Sequence, residues 1–126
     1  MTHSVKVTSV GNSTMAGYQT KATATEFFEY YIGNQMSDAA QFSAIAENDT
    51  TGLWAIHGTD IEAAWATTHT FTFDQSTQTL TYIVDWPSED VYNHWQTIKA
   101  GLDYTDESFD DMDLTYQYIT KTEEVV

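Results

Sequence analysis

An α+β fold built on an antiparallel sheet is what this sequence predicts, and three observations carry that expectation. First, His69, Phe71 and Phe73 alternate with threonines, Asp74–Gln78 turns the chain, and Leu80, Tyr82, Val84 and Trp86 alternate on the way back. That period-two pattern is an antiparallel hairpin with one aromatic-rich face. Second, Pro87-Ser88-Glu89-Asp90 starts a helix, Val91, Trp95, Ile98 and Leu102 share one face of it, and Lys99 and Gly101 close it. Third, both ends of the chain alternate weakly, at Val5–Val10 and Leu114–Lys121, as strands do.

The first strand ends at the turn residues Gly11-Asn12-Ser13. Between Lys21 and Ile32 the residues fit either state: Thr23, Thr25, Phe27 and Tyr31 alternate, while Phe27, Phe28, Tyr31 and Ile32 have helical spacing. Ser37-Asp38 starts a helix carrying Ala39, Ala40, Phe42, Ala44, Ile45 and Ala46, and Asn48-Asp49-Thr50-Thr51-Gly52 ends it. Leu53–His57 is a short apolar run closed by Gly58 and is expected as a strand. Thr59-Asp60 then caps a brief helical turn carrying Ile61, Ala64 and Trp65.

The resulting order of strand, helix, hairpin, helix, strand is the ferredoxin-like βαββαβ arrangement with an insertion at about 36–66, in a single domain over 1–126. Helices on one side leave the other face of such a sheet uncovered. A homodimer closing that face with its aromatic-rich strands is the expected solution.

Composition narrows the function classes. Nineteen acidic residues stand against four lysines and no arginine, for a formal net charge of −15. Such a surface repels phosphate backbones and anionic membranes, and it lacks the bidentate arginine clamp that phosphate or carboxylate ligands favour. Neither nucleic acid nor a membrane is an expected partner. No apolar run approaches the roughly 20 residues of a membrane span, and no basic segment leads into an apolar one at Met1–Val7. A cytoplasmic protein without a signal peptide is therefore expected. The absence of cysteine excludes disulfides and thiolate metal sites.

The acidity itself has three readings: solubility or host adaptation, an acidic surface for a basic protein partner (a DNA mimic or inhibitor), or cation binding by Asp103–Asp113. That segment holds six carboxylates in eleven residues. It lacks the alternating ligands, central glycine and closing glutamate of a calcium loop, so a solvated loop is expected there.

Trp86, Ser88, Tyr92 and Trp95, with a tryptophan-ended strand leading into a helix whose tryptophan comes nine residues later, resemble a pattern of known proteins. The chain is similar, over residues 69–121, to the dimeric α/β-barrel superfamily of antibiotic-biosynthesis-type monooxygenases, nearest the small heme-degrading monooxygenases. Leu114-Thr115-Tyr116 resembles their last strand. The resemblance implies a dimeric α/β barrel and a cofactor-independent or heme-related monooxygenase. It would make Trp95 the tryptophan packed over a porphyrin and Asn12 the asparagine near the first strand. It also calls for a heme-ligating histidine about ten residues after Trp95, where this chain has Thr105 and no histidine beyond His94. No cofactor is therefore expected.

Among the histidines, His3, His57, His69 and His94 show no paired metal-ligand spacing, so no metal site is expected. His94 falls at the edge of the buried helix stripe, where a general base could reach a pocket or where it is simply half-buried. His69 shares the expected hairpin face with Phe71 and Phe73. Trp65, Trp86 and Trp95 fit either a core or an apolar pocket wall. The expected ligand pocket is thus Trp65, His69, Tyr82, Trp86 and Trp95, and the candidate catalytic residues are Asn12, His94 and Trp95. These features point to a protein that binds a small hydrophobic or aromatic molecule, with monooxygenase activity an open question. The alternatives are an acidic interaction protein and a structural dimer without activity.

Overall fold

The computed structural model describes residues 2–11, 22–24, 26, 39–102 and 119–126. Four strands, β1 (His3–Gly11), β2 (His69–Asp74), β3 (Thr79–Trp86) and β4 (Ile119–Val125), form one sheet in the order β2-β3-β1-β4. Every pairing is antiparallel. Among the described residues three helices, α1 (Ala39–Asn48), α2 (Leu53–Trp65) and α3 (Glu89–Ala100), accompany the sheet in an α+β architecture. The strand order and the helical connections are compatible with a ferredoxin-like fold. Between β1 and β2 the described residues include α1 and α2, within the segment expected as an insertion.

The period-two patterning decides which face of the sheet is buried. Val5 and Val7 of β1 and Leu80, Tyr82, Val84 and Trp86 of β3 lie opposite one another in register and are buried against the helices. Ser9 continues that face, so Val10 is out of phase, as its position in the sequence predicts. The aromatic side chains of β3 are therefore spent on the helix-covered core and not on the uncovered face proposed for dimerisation. That outer face carries hydroxyls instead. Thr72, Thr81, Thr8 and Thr122 form one cross-strand row spanning all four strands. Thr–Thr pairs and β-branched side chains suit such a surface.

Two segments differ from the sequence expectation, and each has a local cause. Leu53–His57 is the first part of α2, not a strand. Gly52 adopts φ 78°, a left-handed conformation that glycine takes without steric cost. Asp49 then reaches forward, its carboxylate accepting from Thr51 N at 2.9 Å and Trp54 N at 3.0 Å. The Asp49–Gly52 run thus ends α1 and starts α2 at once. Gly58, read as a strand end, lies inside the helix beneath Trp54, whose ring would stand 2.7 Å from an added Cβ.

The last strand runs later than expected, through Glu123 and Glu124 to Val125. Both glutamates have partners that make strand positions tenable. Glu124 meets Lys6 at 2.7 Å on the outer face, and Glu123 turns to the helix side. Residues Leu114–Tyr118 lie outside the described residues, as do Asn12, the acidic run Asp103–Asp113, Thr105 and most of Lys21–Ile32. Within the last of these, Glu26 N donates to Thr23 Oγ1 and the Glu26 carboxylate accepts from Ala22 N, the paired bonds of a capped helix start.

The α3 helix matches its expectation closely. Ser88 accepts from Val91 N at 3.2 Å, Glu89 and Asp90 occupy the first turn, and Val91, Trp95, Ile98 and Leu102 are all buried.

Candidate functional site

Four of the five expected pocket residues come together, but as a packed cluster. Trp65 at the end of α2 meets Trp86 of β3 edge-on at 6.4 Å and Trp95 of α3 edge-on at 6.2 Å. Trp86 and Trp95 stack at 6.2 Å, and Tyr82 lies 6.3 Å from Trp65. None of the four is more than 7% exposed. These offset and T-shaped contacts are the favoured geometry of aromatic cores. The Trp65 and Trp95 indole N–H groups are buried, with no hydrogen-bond partner among the described residues.

His69, the fifth, is elsewhere. An irregularity between His69 and Thr72 shifts the register of β2, with Thr70 held at φ 60°. His69 therefore pairs with Ile83 on the outer face, while Phe73 pairs with Leu80 on the core side. The two do not share a face, as strict alternation would require, because the irregularity interrupts the period. Both His69 nitrogens are engaged: Nε2 lies 2.9 Å from Asp85 Oδ2 and Nδ1 2.6 Å from Thr70 Oγ1. Ser4, opposite Asp85 in the sheet, donates to its other oxygen at 2.6 Å. The Asp85 carboxylate is thereby fixed at the end of β3.

Open space lies beside the tryptophan cluster. A cleft of about 290 Å³ is lined by Asp60, Ala63 and Ala64 of α2, by Thr2 and Thr67, and by Asp85, Trp86 and Pro87. Ala63, Ala64, Trp86 and Pro87 give it an apolar wall, and the acidic residues Asp60 and Asp85 also line it, Asp85 with its backbone held at Thr67. Thr67 fixes its floor. Its hydroxyl donates to Ala64 O at 2.6 Å and accepts from Asp85 N at 3.1 Å, tying the end of α2 to β3. A second cleft of about 270 Å³ shares Thr2 and is lined by His3, Ser88, Glu89 and Asp90. The strand–helix junction Trp86-Pro87-Ser88 thus stands between two acidic clefts.

On the other side of α3 a charged network is buried. Glu123 accepts from Tyr92 Oη at 3.0 Å and Gln96 Nε2 at 2.9 Å, with Lys99 Nζ at 3.6 Å and Lys121 Nζ at 3.9 Å. Burial pushes the Glu123 carboxyl up, but Lys121, Lys99 and the bonds from Gln96 and Tyr92 together outweigh it and hold its pKa below the usual value. Burial, with the neighbouring Glu123 charge, pushes Tyr92 up to about 12. Lys99 lies in the last turn, as expected, and is buried, with its ammonium 5.7 Å from the Trp95 ring centroid. This network ties β4 to α3 and borders the aromatic cluster through Trp95 and Tyr92.

Of the candidate catalytic residues, Trp95 is fully buried in the cluster, and Asn12 lies outside the described residues. His94 is half-buried and stacks on His57 of α2, with ring centroids 3.9 Å apart and planes within 15°. Sequence spacing missed this pair because its members lie on different helices. Among the described residues no group of three or more His, Cys, Asp or Glu side chains is placed to hold a metal ion. No described helix is long and apolar enough to cross a membrane. Compared with known proteins, the chain matches no family model, and no curated protein or solved structure matches it significantly.

Proposed function

We propose that this protein binds a small amphipathic cation, an apolar or aromatic body carrying an amine, in the cleft beside Trp86. The support is the lining of that cleft: Asp60 and Asp85 line it together with Ala63, Ala64, Trp86 and Pro87, with no lysine among the lining residues. An apolar wall with a few placed polar groups is the common form of a small-molecule site. Asp85 is pre-oriented by Ser4 and His69, so little ordering is left for the ligand to drive. The volume suits a compound of about one ring.

A panel of arylalkylamines, with the matching alcohols and carboxylates, tests this by thermal shift and calorimetry. Amines raise the melting temperature, carboxylates do not, and Asp60→Asn weakens amine binding about tenfold, the loss of one charge-assisted hydrogen bond. Equal responses to amine and carboxylate, or none to either, contradict it.

The resemblance adds narrower elements to the same proposal: a second copy covering the hydroxyl-rich outer face to complete an α/β barrel, and monooxygenase turnover of an aromatic ligand. Light scattering decides the first. Oxygen consumption with hydroxylated aromatics, and a hemin titration, decide the second. The alternative class, an acidic partner for a basic protein, is favoured by the net charge of −15. Binding to a basic protein that falls steeply with salt, without any amine response, would select it.

A further inference from the structure

We infer that His57 and His94 form a two-histidine site for a borderline divalent transition metal such as Zn²⁺. Three observations point there. The imidazoles belong to neighbouring helices, α2 and α3, and their centroids are only 3.9 Å apart. Both rings are half-buried, so they are held by packing yet open to solvent on one side. Finally, among the described residues none of their four ring nitrogens hydrogen-bonds to a protein group, whereas both nitrogens of His69 are committed to Asp85 and Thr70.

Imidazole nitrogen is a favoured donor for Zn²⁺, Cu²⁺ and Ni²⁺, and a metal would take one nitrogen from each ring after a side-chain rotation out of the stack. Asp60 follows His57 by three residues and Asp90 precedes His94 by four, which places a carboxylate one helical turn from each histidine. Neither belongs to a ligand group of three, so water completes the coordination and the carboxylates supply a favourable field. The metal clips α2 to α3, and because the unfolded chain lacks the juxtaposition, binding stabilises the fold. The site borders the amine cleft through Asp60, but its two ligands, His57 and His94, do not line that cleft.

Zn²⁺ titrations by calorimetry and thermal unfolding test it, with wild type, His57→Gln, His94→Gln, His3→Gln and His69→Gln compared. The apo melting temperature of each variant is measured first, so that loss of the stack is separated from loss of the metal. The expected result is a Zn²⁺-dependent rise in melting temperature for wild type, His3→Gln and His69→Gln. Either central variant should lose most of that rise and bind Zn²⁺ about tenfold or more weakly. Mg²⁺, which prefers oxygen ligands, should give no comparable rise. An undiminished Zn²⁺ response in His57→Gln and His94→Gln, or an equal response to Mg²⁺, overturns the inference.

Discussion

Tyr92 of α3 donates its hydroxyl hydrogen to Glu123 of β4 across 3.0 Å, joining two residues 31 positions apart in sequence. The same carboxylate gathers Gln96, Lys99 and Lys121. On the face of β4 that turns to α3, Glu123 stands between Lys121 and Val125, so charge pairing contributes to docking the strand.

Removing that carboxylate takes away one counter-charge that Lys99 and Lys121 share, together with the acceptor of Tyr92 and Gln96. Glu123→Gln is expected to destabilise the fold by roughly 3 kcal/mol, as for one partner of a buried pair, measured by urea unfolding. Lys99→Met keeps the packing over Trp95 and is expected to cost less.

The network also sets the pH limits of stability. Glu123 is held below its usual pKa, so its contribution is full above the ordinary carboxylate range and is lost as pH falls through the lowered value. Tyr92 is raised from 10.0 to about 12, so its contribution is full below 10 and is lost as pH rises towards 12. Melting temperature against pH should fall at both ends. Tyr92→Phe should flatten the alkaline side and, by removing one bond to Glu123, soften the acid side only in part, because Lys121, Lys99 and Gln96 still lower its pKa.

The start of α2 rests on Asp49 and not on the helix's own N-cap, Gly52, which has no side chain to offer. Hydrogen bonds from Thr51, Trp54 and Gly52 outweigh slight burial and hold the Asp49 carboxyl below its usual value. Asp49→Ala should cost about 1 kcal/mol, the usual worth of a helix cap, and the loss should shrink in acid as the wild-type carboxyl protonates.

Glycine inside a helix normally costs about 0.5–1 kcal/mol against alanine. At Gly58 the sign should reverse. An added Cβ meets the Trp54 ring at 2.7 Å, and that ring is itself stacked on Phe42 at 5.7 Å. Gly58→Ala should destabilise by about 1–2 kcal/mol, as overpacking does, readable in the same urea experiment. Stabilisation would mean that Trp54 turns aside freely.

The elements that declare both ends and a face in one local stretch were legible. In α3 the cap Ser88, the acidic first turn and the Val91–Trp95–Ile98 stripe all agree, and so does the Leu80–Trp86 alternation of β3. The Leu53–His57 segment differs from its expectation because four apolar residues and a histidine followed by glycine fit a strand or a buried helix equally. Asp49, four residues before that run, decides between them. His69 was placed on the wrong face because the irregularity at Thr70 leaves no trace in a period-two pattern. The candidate site was legible only in part. Trp86 marks its wall, but Asp60 and Asp85 are ordinary surface carboxylates in sequence, and the meeting of His57 with His94 depends on how α2 packs on α3.

The most direct test of the proposed cleft is a titration with an arylalkylamine followed by backbone amide chemical shifts. The account predicts saturable shifts concentrated at Thr2, Ala63, Ala64, Thr67, Asp85 and Trp86, absent in Asp60→Asn at the same ligand concentration. Shifts spread evenly over the acidic surface, or centred on β4, would contradict it.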